Sequence, residues 1–301
     1  MGKLNHVFRR MCHLAATPFV KIGFLGKVLE VFYQEYQFNK IVVTQQNVHK
    51  KLKRNFEDVQ VKYGPFKGLK YPELAGFGSE LYPKLLGCYE VELFNCLERI
   101  RPNNYKKIVN IGCAEGYYAV GLGLMFEESI VYAYDLAERA RALCTAMGKE
   151  NGIEGRLNVF SKCTANTLNK LDFGERSLIV CDCEGFEIEL FKKEVMDNIK
   201  NCDILIELHD FINPEISSKM LPLFKATHDL VIYRSMDDDL KLIQLNEKYE
   251  ELQKLSPYEK KIALGELRPT TMEWAFLTPK KAFSIAAPVR KQVKILEKIG
   301  G

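Results

Sequence analysis

The sequence predicts an α/β fold built on a mostly parallel sheet with helices on both faces. Three observations predict it. From residue 107 onward, short runs rich in Val and Ile alternate with helical periods. A glycine-bearing turn, Asn110-Ile-Gly-Cys-Ala-Glu-Gly-Tyr-Tyr118, follows the first of these runs and opens a helix. The second run ends on an acid, Asp135, nineteen positions after Gly116.

Taken in order, residues 1–78 show mixed patterning without a βαβ rhythm. They read as a mixed or helical N-terminal extension, closed by a Gly/Pro-marked stretch from Gly64 and Pro65 to Gly76 and Gly78. The main domain spans 79–282. Its lead-in, 80–100, patterns as one helix ended by Pro102 and the two asparagines after it. Strands are expected at 108–111, 130–134, 157–160, 177–181 and 203–208, with helices between them, as at 138–150 and 186–199. Such a series requires parallel strands and right-handed crossovers. Two more strands are expected at 230–234 and 272–277. The connection between them, about 235–270, is long, patterns as helices at 242–255 and 257–264, and is expected to form a lid over an acceptor pocket. Residues 283–301 form a basic tail.

Composition bounds the function. With 301 residues, 47% of them hydrophobic, the chain can bury one large core with decorations. A net charge of +4 is too small to argue for nucleic acid by itself. The basic residues do cluster, at Lys50, Lys51, Lys53 and Arg54 and again at Arg290, Lys291, Lys294 and Lys298. These ends are either solvated surface or a place to meet nucleic acid, anionic lipid or a phosphorylated substrate. Nine cysteines without a CxxC pair suit free thiols in a reducing, cytoplasmic setting, not a disulfide scaffold or a zinc ribbon. No apolar run approaches a membrane span. The front segment mixes Arg9, Arg10, Lys21 and Lys27 with Phe8, Leu14, Phe19, Phe24 and Leu29. It fits a signal peptide poorly, and reads either as an interfacial helix making peripheral membrane contact or as a packing surface for its own domain or a second subunit.

The turn carries the first chemistry. Gly112 lets the chain reverse, Ala114 keeps the turn slim, and Gly116 permits close approach to a helix N-terminus, where free N–H groups can receive a carboxylate or phosphate. Asp135 can accept both hydroxyls of a ribose. Together they indicate an adenine-nucleoside cofactor. A dinucleotide turn wants G-x-G-x-x-G, and here Ala114 and Tyr117 stand at the second and third glycine places. One amino-acid carboxylate needs less room than a pyrophosphate, so S-adenosylmethionine (SAM) is favoured over NAD.

The second chemistry lies at the ends of the fourth and fifth strands, where α/β sheets bind ligands. Asp182 and Glu184 follow strand four; Glu207 and His209 share one face of strand five, with Asp210 next to them. His209 as a general base, a divalent-metal site of Asp182, Glu207 and His209, and a hydrogen-bonded structural cluster are all open readings, with Asp182 and Glu184 as further catalytic candidates. Neither the D/N-P-P-Y/F of amino-methylating nucleic-acid enzymes nor a Pro-Cys nucleophile loop occurs, and Cys183 reads as a strand-end filler. Tyr118 is expected to line the acceptor pocket. Arg268 is expected either to face an anionic group of the acceptor or to pair with Glu266.

These segments resemble the class I SAM-dependent methyltransferases, and within them the FkbM-type family. Val109-Asn-Ile-Gly-Cys-Ala-Glu-Gly-Tyr-Tyr118 is similar to that family's SAM loop, and Ala133-Tyr-Asp135 to its ribose-binding strand end. Asp182-Cys-Glu-Gly-Phe-Glu187 is similar to its D-x-E-G-x-E segment, and Ile206-Glu-Leu-His209 to its E-x-H. The resemblance covers 105–211, with Leu86-Gly-Cys-Tyr-Glu90, Glu266-Leu-Arg-Pro269 and Trp274 also similar. It implies a Rossmann-like seven-stranded sheet with the last strand antiparallel. It also implies O-methylation of a small hydroxylated acceptor, such as a sugar or glycan precursor. A methyltransferase acting on RNA or protein, and a SAM-binding module without turnover, are the alternatives. Cofactor contacts are expected from Gly112, Cys113, Ala114, Glu115, Gly116 and Tyr117 in the turn, from Asp135 and Leu136, and from Thr164. The family usually opens its loop with an acid; here Asn110 can hold the loop by hydrogen bonds but supplies no charge, so Glu90 or Asp182 is expected to supply it.

Overall fold

A computed structural model describes residues 24–174 and 176–280. The basic tail with Arg290, Lys291, Lys294 and Lys298 lies outside the described residues, as do Phe8, Arg9, Arg10, Leu14, Phe19 and Lys21 of the front segment. The described chain forms two compact units: residues 24–57 with 241–265, and residues 58–240 with 266–280.

The first unit is helical. The helix Phe24–Leu52 runs into a 3-10 turn, Lys53–Phe56, and packs on the helix Pro257–Leu264. Ser256 starts that second helix with a capping box: its hydroxyl accepts from the Glu259 N–H and the Glu259 carboxylate accepts from the Ser256 N–H. The same carboxylate takes the Lys51 ammonium at 2.7 Å, so one member of the basic cluster is ion-paired. Val48, Leu52 and Phe56 are buried, whereas Val31, Phe32 and Phe38 stay exposed along the long helix. Among the described residues, no helix is long and apolar enough to cross a membrane.

The second unit is built on seven strands in the order β3-β2-β1-β4-β5-β7-β6. They are β1 (Lys107–Ile111), β2 (Ile130–Tyr134), β3 (Leu157–Phe160), β4 (Ser177–Cys181), β5 (Asp203–Leu208), β6 (His228–Arg234) and β7 (Glu273–Pro279). The first five pair in parallel; β7 pairs antiparallel with both β5 and β6. This is the Rossmann-like sheet expected, last strand reversed. The central strands read as continuous apolar runs because both their faces are buried. Val109, Ile179, Ile204 and Ile206 share one core with Leu168, Leu190, Met220 and Phe224 from the helices. Their alternate neighbours Ile108, Leu178, Val180 and Leu205 are buried on the opposite side, and the helix Tyr117–Met125 packs along β1 and β2.

Helix continuity is where the structure departs from the pattern. The single helix expected at 80–100 is two, Leu81–Leu86 and Phe94–Ile100, with a 3-10 turn Val91–Leu93 between them. Gly87 ends the first at φ 68°, its N–H donating to the Lys84 carbonyl. A Cβ there would sit 1.8 Å from the Tyr63 carbonyl oxygen, so the chain crosses backbone to backbone. Likewise 186–199 divides into Glu187–Leu190, Lys193–Val195 and Met196–Ile199, breaking where Phe191 leaves helical geometry at ψ 78°. The expected helix 242–255 becomes Asp238–Leu245 and a 3-10 turn Glu250–Leu252. Apolar spacing of about 3.6 runs on across such breaks, so periodicity alone does not locate them. Of the connection 235–270, residues 241–265 belong to the helical unit and the rest to the sheet unit.

Candidate functional site

A cavity of about 660 Å³ lies at the C-terminal ends of the parallel strands. Each of the five contributes to its wall: Gly112 and Ala114 after β1, Asp135 and Leu136 after β2, Lys162 after β3, Asp182 and Glu184 after β4, and Glu207 and His209 on and after β5.

Gly112 brings two walls together. It adopts φ 77°, and a Cβ on it would lie 1.5 Å from the Asp182 carbonyl oxygen. The ends of β1 and β4 therefore touch backbone to backbone, and only glycine allows it. The N–H groups of Gly112 and Cys113 both donate to the Tyr134 carbonyl, at 2.8 and 3.0 Å, which clips the turn to the end of β2. Ala114, at φ 46°, donates its N–H to Asp135 Oδ2 at 2.9 Å, and Ala137 donates to Oδ1 at 2.8 Å. The Asp135 carboxylate is thus aimed by backbone donors, and each oxygen keeps a second lone pair for a ligand.

Several residues expected to meet the cofactor stand behind this wall. Gly116 caps the helix Tyr117–Met125 at φ 107°, and a Cβ there would meet Cys144 at 3.2 Å; its glycine answers to the helix Glu138–Glu150, not to the cavity. Cys113 is buried. Glu115 is buried in an ion pair with Lys84 at 2.5 Å and accepts the Phe77 N–H at 3.3 Å, which ties a cavity-wall loop to the turn. Tyr117 packs edge-on against Phe66 and Tyr89. Tyr118 donates its hydroxyl to Glu90 and is not among the residues that line the cavity. Thr164 forms the capping box of the helix Ala165–Lys170. Asn110 is buried with its amide nitrogen 3.4 Å from the Val180 carbonyl, while its Oδ1 has no hydrogen-bond partner. Of the two acids expected to replace the missing charge at Asn110, Asp182 lines the cavity and Glu90 does not.

The acid–imidazole cluster does converge. Nδ1 of His209 lies 2.8 Å from Oε1 of Glu187, and that carboxylate also accepts the Cys183 and Gly185 N–H groups at 3.2 and 3.3 Å. Burial would raise the Glu187 pKa, but the His209 hydrogen bond and charge outweigh it and hold the carboxylate below its ordinary value. The other ring nitrogen, Nε2, faces Asp182 Oδ1, Glu184 Oε2 and Glu207 Oε2, each at 3.5 Å. Burial would lower the His209 pKa; Glu187 first, then Glu207 and Glu184, reverse that and raise it. Asp182 is pushed well above the carboxylate range by burial and by the negative charges of Glu207, Glu90 and Glu184. Asp210 stands apart, accepting the Ser217 N–H and hydroxyl at the start of the helix Ile216–Phe224.

Glu187 closes the Asp182-Cys-Glu-Gly-Phe-Glu187 segment, and its role comes from its contact with His209 across the strand ends. The sequence displays its acidic type two residues past Gly185, whereas its pairing with His209, twenty-two residues on, is set by the fold.

Arg268 is spoken for. Its guanidinium donates to Glu266 at 2.8 Å and to Glu207 and Glu90 at 2.5 Å each. Of its two expected uses, pairing with Glu266 is present. Burial would lower its pKa, and the three carboxylates raise it instead. Around the cavity, with Asp182 favoured in its neutral form, Asp135, Glu184, Glu207 and Glu266 still outnumber Lys162 and Arg268, apart from His209. Such a surplus attracts a cationic ligand and repels a pyrophosphate.

No protein-family model matches this sequence, and no curated protein does. Solved structures with a similar fold include a Klebsiella pneumoniae protein assigned as an O-methyltransferase (11% identity, TM-score 0.44, 63% of this chain and 80% of that one). An rRNA methylase from Streptococcus thermophilus is another (11% identity, TM-score 0.42, 62% and 96%). A third is precorrin-6y C5,15-methyltransferase from Geobacter metallireducens GS-15 (11% identity, TM-score 0.39, 49% and 74%). These likenesses are distant, and the fold assignment rests on the strand order itself.

Proposed function

We propose that this chain is a SAM-dependent methyltransferase that methylates a hydroxyl group of a small acceptor. One observation carries the reading: a single cavity joins a backbone-aimed acid, Asp135, to a wall with a surplus of carboxylates. SAM bears a sulfonium and an ammonium against one carboxylate, so its net charge is positive and suits that wall. NAD would bring a pyrophosphate to it. The cavity volume of about 660 Å³ falls within the range of small-molecule sites.

When bound, the cofactor supplies a methyl group already activated on sulfur, which leaves the protein to position the acceptor and remove its proton. Asp135 offers its remaining lone pairs to a ribose diol. Gly112 and Ala114 present backbone without side-chain bulk. Glu187 holds the ring of His209 so that Nε2 points at the wall shared by Asp182, Glu184 and Glu207. Glu184, whose side chain is 76% exposed, is the member of that wall placed to pass a proton to solvent. The resemblance to the FkbM-type family supports a sugar or glycan precursor as acceptor, and the acidic wall disfavours a polyanion beside the reacting atoms.

Calorimetric titration with SAM, S-adenosylhomocysteine and NAD tests the reading. SAM and S-adenosylhomocysteine should each bind once per chain, and NAD should not bind. Binding of NAD with indifference to SAM would overturn it.

A further inference from the structure

We propose that Asp182, Glu207 and His209 form a divalent-cation site at the reacting end of the cavity; its use in catalysis rests on the methyltransferase reading, the site itself does not. One donor atom from each residue lies within 4.8 Å of the others, a spacing that small adjustments close around one ion. The residues come from the ends of two adjacent parallel strands, β4 and β5, so the scaffold beneath them is rigid.

Two observations independent of the acidic clustering point to a ligand. The His209 side chain is 2% exposed, its Nδ1 is taken by Glu187, and its Nε2 faces three carboxylate oxygens at 3.5 Å without a hydrogen bond to any of them. Asp182 Oδ1, on the same wall, is buried without a hydrogen-bond partner. The two atoms lie 3.5 Å apart. Arg268 does not supply the missing positive charge there, because it binds the far oxygen of Glu207 and is shared with Glu90 and Glu266.

The outer partner fits too. A histidine that ligates a metal usually donates its other ring N–H to a carboxylate, which fixes the tautomer and aims the lone pair. Glu187 does this for His209, and is itself held by the Cys183 and Gly185 N–H groups. Oxygen donors with one imidazole suit Mn²⁺, Mg²⁺ or Fe²⁺ better than a thiol-seeking ion. All three ligands also line the cavity, which leaves coordination positions open towards the acceptor. A cation there lowers the pKa of an acceptor hydroxyl and orients its oxygen. The proton goes to Glu184 or solvent. The new O–C bond forms as the C–S bond breaks, with the electron pair leaving on sulfur as the neutral thioether of S-adenosylhomocysteine.

The test uses the full chain stripped with EDTA and titrated with Mn²⁺, following loss of the free-ion EPR signal, with SAM affinity measured on the same preparation. One saturable Mn²⁺ per chain is expected. Asp182→Asn and His209→Gln should abolish it, and Glu187→Gln should weaken it roughly 10–100-fold. Thermal melts identify any variant that fails to fold, and the wild-type titration stands without them. Absence of saturable Mn²⁺ binding by a wild type that still binds SAM overturns the site and spares the methyltransferase reading. Saturable binding that folded Asp182→Asn and His209→Gln retain also overturns it. Mn²⁺ binding lost in those variants, by a chain indifferent to SAM, upholds the site and sinks the cofactor reading.

Discussion

Nδ1 of His209 lies 2.8 Å from Oε1 of Glu187, a carboxylate with no exposed surface. The two groups shift each other in opposite directions, His209 up and Glu187 down. Because the folded pKa of His209 exceeds its unfolded one, its contribution to stability is complete below about 6.5 and is lost as pH rises through the folded value. The contribution of Glu187 is complete above its unfolded pKa and is lost as pH falls through its depressed one. The pair therefore stabilises most in the mildly acidic window between. Glu187→Gln should cost about 1.5–3 kcal/mol there, on the scale of a charged hydrogen bond, and less at alkaline pH. NMR titration of the histidine ring protons should show the His209 pKa falling in the variant; an unmoved value would refute the coupling.

Asp135 anchors the turn and faces the cavity at once. Asp135→Ala removes an acceptor from the Ala114 and Ala137 N–H groups as well as from a ribose. SAM affinity should drop by about 1.5–3 kcal/mol, roughly ten- to a hundredfold. Asp135→Asn keeps one acceptor oxygen and should lose less. Calorimetry that finds Asp135→Ala equal to wild type removes the ribose role.

What the sequence displayed depended on how local the cause was. The strand runs were legible for two local reasons: β4 and β5 are short, largely apolar stretches buried on both faces, while the edge strand β3 alternates between half-buried and exposed residues. The break at Gly87 was not legible, because it answers to the Tyr63 carbonyl, more than twenty residues away in the chain. The site shows the same division. That Asp182, Glu207 and His209 converge follows from two neighbouring strand ends and period-two alternation. That Glu115 and Tyr118 turn away follows from distant partners, Lys84 and Glu90, which no local pattern announces.

The two turn glycines should fail differently. Gly112→Ala places a Cβ 1.5 Å from the Asp182 carbonyl, so β1 and β4 must part at the cavity floor. SAM binding should be lost together with much of the stability. Gly116→Ala meets Cys144 at 3.2 Å in a left-handed conformation, away from the cavity wall. It should cost about 1–3 kcal/mol of stability and leave SAM affinity within a few-fold of wild type in the folded fraction. Thermal melts beside calorimetry separate them. A Gly116→Ala protein that folds fully yet cannot bind SAM would return that residue to the binding turn.

Arg268 holds three buried carboxylates, and its loss should be the most pH-sensitive change in the site. Arg268→Met leaves Glu90, Glu207 and Glu266 without their shared cation, a situation that typically costs about 3–5 kcal/mol. Burial already pushes Glu90 up to about 8 even against the pull of Arg268, which is the main influence lowering it. Without the guanidinium, the folded pKa of Glu90 rises further above its unfolded one. Groups raised in this way contribute stability at low pH and lose it as pH climbs through the folded value. The deficit of Arg268→Met should therefore be largest near pH 8 and shrink towards pH 5, as Glu90 takes up a proton in place of the lost cation. Urea denaturation of wild type and variant across that range measures it. A deficit that stays constant with pH would mean the three carboxylates do not share one charge through Arg268.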